Sequence, residues 1–282
     1  MKKVLVTGAG GFVGARAAEQ LADRFEVSVF SRGTLASAGD GEILSYIHKV
    51  SPDVIIHSAA ISDVGYSEQH PEDSYRANVM LPVLMAKGAK ETGAKLLAFS
   101  SDQVYTGLNG CEPYDEAAVL SPANVYGRHK LEAENRVLDI LPDAVMLRAT
   151  WMYDLMGYGL PIRGNFVLNL ISAAIHNEEI KLSASDYRGI TYVRQVIELL
   201  IPAMELPGGV YNFGSENRLD MYETGCIFVK ALGLGASVSR LENMPMRNIS
   251  MSCEKIKKYG ICFDDTASGI KRLIKDYAFD RL

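Results

Sequence analysis

Tyr126 and Lys130 stand four residues apart in SPANVYGRHKLEAE (residues 121–134), and a serine pair, Ser100 and Ser101, closes an apolar run upstream. On a helix, residues at i and i+4 lie one turn apart on the same face, so this spacing brings an ammonium beside a phenol. A phenol of pKa about 10 is a poor proton donor near neutral pH. A nearby cation favours phenolate and lowers that pKa, which makes Tyr126 the expected acid or base and Lys130 its partner. Ser101 is expected to hydrogen-bond a substrate carbonyl oxygen, so that phenol and hydroxyl together stabilise the charge developing there as hydride reaches the carbon. The same spacing also describes a solvated pair on an exposed helix. Its context favours chemistry: it is the only Tyr-x-x-x-Lys among fourteen tyrosines, and Pro122 and Asn124 precede it as helix-entry residues.

Such a triad needs a hydride source, and the N-terminus supplies a place for one. In TGAGGFVG (7–14), Gly8, Gly11 and Gly14 have G-x-x-G-x-x-G spacing with Gly10 as an extra. The turn follows a strand-like run, Lys3 to Thr7, and opens a helical pattern from Phe12 to Arg24. Glycines there let backbone N–H groups approach a pyrophosphate at a helix N-terminus, so Gly8, Gly11, Phe12, Val13 and Gly14 are read as dinucleotide-binding. The next strand, Glu26 to Phe30, runs into Ser31 and Arg32. A hydroxyl and a cation suit a 2′-phosphate, so NADPH is the expected cofactor; Arg32 as a solvated loop residue leaves NADH open. Ser58, Ala59 and Ala60, after the strand Val54 to His57, offer small side chains along which the cofactor would lie.

The surrounding elements predict how these residues are held. Helical patterns at Glu42 to Val50 and Pro71 to Thr92 alternate with strands at Lys95 to Ser100 and Ala144 to Arg148. That alternation implies an α/β fold, a Rossmann-type doubly wound parallel sheet covered on both faces, with a smaller C-terminal substrate-binding lobe. Residues 1–150 are expected to form the cofactor-binding core, with segments near 190–213 returning to it. Residues 151–282 would mainly build the lobe. Within them, 151–165 reads as loop around a ligand, followed by helices near Phe166 to Asn177, Tyr192 to Met204 and Met221 to Leu232 and a strand at Gly209 to Phe213.

Composition narrows the function classes. The 282 residues are 48% hydrophobic and 22% charged, with a formal net charge of -5 and no dense Lys/Arg block, which argues against a nucleic-acid role. Glycines break the opening MKKVLV too soon for a targeting segment, and the apolar run at 167–175 is too short to span a bilayer. Cys111, Cys226, Cys253 and Cys262 are widely spaced, as reduced cytoplasmic thiols would be, and the five histidines show no zinc-ligand spacing, so no metal is expected.

On these residues the chain resembles the extended short-chain dehydrogenase/reductase superfamily and, within it, the RmlD-like sugar-nucleotide reductases. The likeness runs nearly end to end through TGAGGFVG, PDVIIHSAAISDV (52–64), the Asn78 helix, FSSDQVYTG (99–107), SPANVYGRHKLEAE, LRATWMY (147–153), GNFV (164–167) and DYRGITYV (186–193). It implies NADPH-dependent reduction of the 4-keto group of a nucleotide-linked deoxysugar. By motif position, Tyr126 is the acid, Lys130 its electrostatic partner and ribose ligand, and Ser101 the carbonyl partner, while Asp102, Trp151 and Asn78 would contact the sugar nucleotide. The stretch from Arg32 to Glu42 departs from the pattern, with no clear third strand; Asp40 is either the acidic residue directed at adenine or a helix cap. Arg163 and Arg188 stay open between diphosphate ligands and surface cations. A 4,6-dehydratase resembles Thr-Asp-Glu where this chain has Ser101, Asp102 and Gln103, and Gln103 cannot move a proton. An NAD-dependent 4-epimerase and a non-catalytic regulatory subunit of the same fold remain alternatives, and assembly as a homodimer is left open.

Overall fold

Strands rich in Val, Ile and Leu that alternate with amphipathic helices can bury both faces of a sheet only when helices cover each side. The computed structural model, which describes residues 1–30, 38–157 and 159–277, has this arrangement. Six parallel strands, β1 (Lys3–Thr7), β2 (Glu26–Phe30), β3 (Val54–His57), β4 (Lys95–Ser101), β5 (Val145–Ala149) and β10 (Gly209–Phe213), lie in the order β10-β5-β4-β3-β1-β2. Alternate residues of each strand feed opposite layers. Val4, Val6, Val54, Ile56, Leu97 and Leu147 pack toward the helices Phe12–Leu21 and Val193–Ala203. Leu5, Ile55, Leu96 and Met146 pack toward the helices Asp40–Val50 and Leu81–Thr92.

The chain reverses direction across the sheet between β1 and β3, where Thr7 is in register with His57. In an open parallel sheet, the crevice at the carboxyl ends of such neighbouring strands is where ligands bind. A second apolar cluster, around Tyr153, Phe166, Tyr192, Phe228 and Ile270, lies over that end.

Several elements differ from expectation. Residues 71–92 form helix Pro71–Tyr75, a π-helical turn Arg76–Met80 and helix Leu81–Thr92 rather than one regular helix. Pro82 has no N–H for the Asn78 carbonyl and its ring would crowd that oxygen, so the turn before it widens. Residues 151–165, expected as loop, begin with β6 (Trp151–Tyr153), which pairs with β9 (Ile190–Tyr192). The short parallel pairs β7 (Ile180–Ser183) with β11 (Val238–Leu241), and β8 (Asp186–Tyr187) with β12 (Arg247–Asn248), are likewise additions. Asp40 opens its helix without capping it and pairs with Arg76 at 2.6 Å.

Candidate active site

Two local structures set Ser101 and Tyr126 against each other. At the end of β4, Ser101 begins the turn Asp102–Tyr105 and its Oγ accepts from the Gln103 N–H at 3.2 Å. Asn124 caps the helix Val125–Ile140, its Oδ1 accepting from the Gly127 N–H at 2.6 Å while its Nδ2 donates to Gln103 Oε1 at 3.1 Å. A Cβ at Gly127 would stand 2.4 Å from the Gln103 carbonyl oxygen, so only glycine lets helix and turn approach this closely. Ser101 and Tyr126 are thereby brought together along one cleft.

One turn along, Lys130 is 3% exposed; its Nζ donates to the Phe99 carbonyl at 2.8 Å and lies 5.8 Å from the Tyr126 ring centre. Another turn along, buried Glu134 accepts from Ser100 Oγ at 2.5 Å and from Arg148 Nη2 at 2.6 Å. Arg148 Nη1 continues this buried network to the Tyr105 hydroxyl at 2.9 Å. Glu134 and Arg148 were not singled out as site residues in the sequence, although the i, i+4, i+8 run Tyr126, Lys130, Glu134 along one helical face was there to be read.

The electrostatics differ from the simple phenol–ammonium picture. Burial pushes the Tyr126 phenol up to about 12; the Ser101 hydrogen bond opposes this, Asp102 adds to it and the Arg163 charge opposes it. The acidification expected from Lys130 is not what sets the phenol: its opposing influences are Ser101 and Arg163, and removing the phenolate from water costs more than these return. Burial likewise brings Lys130 down to about 8, against the favourable charge of Glu134.

Ser101, Tyr126 and Lys130 line a cleft of about 1010 Å³ together with Gly8, Gly11, Phe12, Val13, Gly14, Ser58, Ala59, Ala60, Asp102 and Trp151. At its floor, a Cβ on Gly14 would lie 2.3 Å from the Gly8 carbonyl oxygen and 2.7 Å from Ser58 Oγ, so the turn is folded as closely as glycine permits. Gly8 itself has φ +74°. The bare backbone at the start of the helix Phe12–Leu21 fits a dinucleotide pyrophosphate. Ser31 and Arg32 lie outside the described residues.

Asn78 is not in the cleft. It is wholly buried, accepting from the Ile61 N–H at 3.1 Å and donating to the Ile61 carbonyl at 2.9 Å and Ser74 Oγ at 3.0 Å. Its amide is satisfied by protein groups and holds the loop after β3 in shape, in place of the expected substrate contact. Arg188 does face the cleft: its Nη2 donates to Asp102 Oδ2 at 2.8 Å and its guanidinium lies 5.2 Å over Trp151. Arg163 lies at the mouth and donates to Ser62 Oγ across it. Among the described residues, no helix is long and apolar enough to cross a membrane.

A family model described as the RmlD substrate binding domain matches residues 1–277. The chain is similar to the dTDP-4-dehydrorhamnose reductase of Aggregatibacter actinomycetemcomitans, 29% identical over 258 residues that cover 88% of this chain and 84% of that protein. It is also similar to methionine adenosyltransferase 2 subunit beta of Xenopus laevis, 27% identical over 282 residues, 92% of this chain and 83% of that one. A crystal structure of dTDP-4-dehydrorhamnose reductase from Bacillus anthracis in complex with NADP superposes with a TM-score of 0.88 at 22% identity, covering 98% and 99% of the two chains. That likeness is one of fold.

Proposed function

The chain belongs to the RmlD substrate binding domain family, and on that premise we propose that it is an NADPH-dependent oxidoreductase that reduces the 4-keto group of a nucleotide-linked deoxysugar in the cytoplasm. One observation carries the reading: Ser101, Tyr126 and Lys130 converge on the wall of a single cleft whose floor is the glycine turn. The turn residues, with Ser58 to Ala60 and Lys130, would hold NADPH, which supplies the hydride to the keto carbon.

The chain's own residues handle the oxygen. With its pKa raised to about 12, the Tyr126 phenol is fully protonated at neutral pH and ready to donate. The alkoxide forming at C4 is more basic than a phenolate, so the proton moves downhill to it as charge develops. Ser101 Oγ donates a hydrogen bond to the same oxygen, and the Lys130 ammonium stabilises the phenolate left behind. Trp151 offers a flat face for the sugar, with Asp102 beside it to accept hydrogen bonds from sugar hydroxyls.

NADPH oxidation on addition of a dTDP-4-keto-6-deoxysugar tests the reading, with Tyr126→Phe expected to lower kcat by roughly 10²- to 10⁴-fold. The resemblance to a subunit named for methionine adenosyltransferase motivates the second arm of the assay. A cofactor that binds without turnover of any keto sugar would favour a binding subunit, and tightly copurifying NAD a 4-epimerase.

A further inference from the structure

A nucleotide sugar brings two phosphates into the cleft, and the charged side chains lining it differ in their availability to meet them. Its cations are Lys130, Arg163 and Arg188; its carboxylates are Asp63 and Asp102. Lys130 is turned to the Phe99 carbonyl beside Tyr126. Arg188 is neutralised by Asp102 at 2.8 Å and packed on Trp151. Asp63 is engaged as a helix cap, accepting from the Tyr66 N–H at 2.7 Å. Arg163 remains: its hydrogen bond is to the neutral Ser62 hydroxyl, and no carboxylate pairs with it among the described residues.

Its backbone is also prepositioned. Arg16 Nη1 donates to the Pro161 carbonyl at 2.8 Å, and buried Asn165 donates to the Arg163 carbonyl at 3.2 Å while capping the helix Phe166–His176. The guanidinium lines the same cleft as Tyr126, Ser101 and Trp151. The cofactor's pyrophosphate already has the glycine turn and its helix N-terminus.

Resting on the proposed reductase reading, we infer that Arg163 is the diphosphate ligand of the nucleotide sugar, exchanging its Ser62 hydrogen bond for charge-assisted bonds to the phosphates. A guanidinium suits this role because its planar fork meets two phosphate oxygens at once.

The test compares the wild-type protein with Arg163→Ala and Arg163→Lys, using calorimetric titration with dTDP, UDP, dTMP and NADPH after confirming unchanged melting. Arg163→Ala is expected to weaken dTDP or UDP roughly 10- to 100-fold while changing dTMP and NADPH less than about threefold, with the lysine variant intermediate. In turnover, KM for the dTDP-4-keto-6-deoxysugar should rise with little change in kcat. Equal weakening of dTDP and dTMP, or weakening of NADPH with dTDP untouched, overturns the assignment. So does a wild-type protein that binds neither dTDP nor UDP. Absence of turnover alongside Arg163-dependent binding of either diphosphate would sink the reductase reading and support this one.

Discussion

At Lys130 a cation is held at 3% exposure with the Phe99 carbonyl as its hydrogen-bond partner among the described residues, an arrangement that costs the folded state stability. Its pKa falls from 10.5 to about 8 because burial outweighs the Glu134 charge. Since the folded value lies below the unfolded one, the folded state binds fewer protons between about 8 and 10.5, and stability from this group rises with pH across that window. Below it the penalty is fully present. Lys130→Met should therefore stabilise the protein at pH 7, by on the order of 2 kcal/mol once the lost hydrogen bond is deducted, while nearly abolishing turnover. Differential scanning calorimetry at pH 7 checks the first half, and a lower melting temperature for the variant contradicts it. In the wild-type enzyme, kcat/KM for NADPH should decline as pH passes about 8, where the ammonium is lost.

Secondary-structure elements bring these residues together, and the glycine turn shows how narrow the tolerances are. Gly10 has nothing within 4 Å of an added Cβ, whereas Gly14 has the Gly8 carbonyl at 2.3 Å. Gly14→Ala should thus weaken NADPH at least about 100-fold and cost roughly 1–3 kcal/mol, while Gly10→Ala stays near wild type in both. Fluorescence titration with NADPH decides it; similar affinities for the two variants would mean that helix and turn can separate without consequence. The spacing of Gly8, Gly11 and Gly14 made this element legible in the sequence, as did the four-residue step from Tyr126 to Lys130. Strands β1 and β3 were legible because apolar runs bounded by turns leave few other structures. The short pairs β6 with β9 and β8 with β12 were not, since two or three residues carry no periodicity and depend on partners far along the chain. Asn78 illustrates the same limit at the site: its type and helical setting suit a ligand contact, yet the widened π turn delivers its amide to Ile61. The place of Tyr126 beside Ser101 and Lys130 was legible and its titration was not, because desolvation is set by everything packed around it.

Across the whole molecule, the cofactor end and the second apolar cluster are tied by one buried ion pair. Arg16, on the helix that opens at the glycine turn, donates its Nε to Asp154 Oδ2 at 2.8 Å, with side-chain exposures of 5% and 3%. Asp154 Oδ1 accepts from its neighbour Leu155 N–H at 2.9 Å and from the Tyr277 hydroxyl at 2.9 Å, so a single carboxylate links the first helix to the segment that ends the described chain. Arg16 also holds the Pro161 carbonyl, two residues before Arg163. Removing the carboxylate leaves a guanidinium buried without its counter-charge, which is costlier than losing the pair as a whole. Asp154→Ala should therefore destabilise the protein by roughly 3–5 kcal/mol, and the double variant Arg16→Met with Asp154→Leu should recover a large part of that loss. Urea unfolding followed by Trp151 fluorescence and by circular dichroism measures both. If Trp151 reports its transition at the same midpoint as the helical signal in the wild type but earlier in Asp154→Ala, the ion pair is what couples the substrate side of the cleft to the sheet. Coincident transitions and a loss under about 1 kcal/mol would assign that coupling to apolar packing instead.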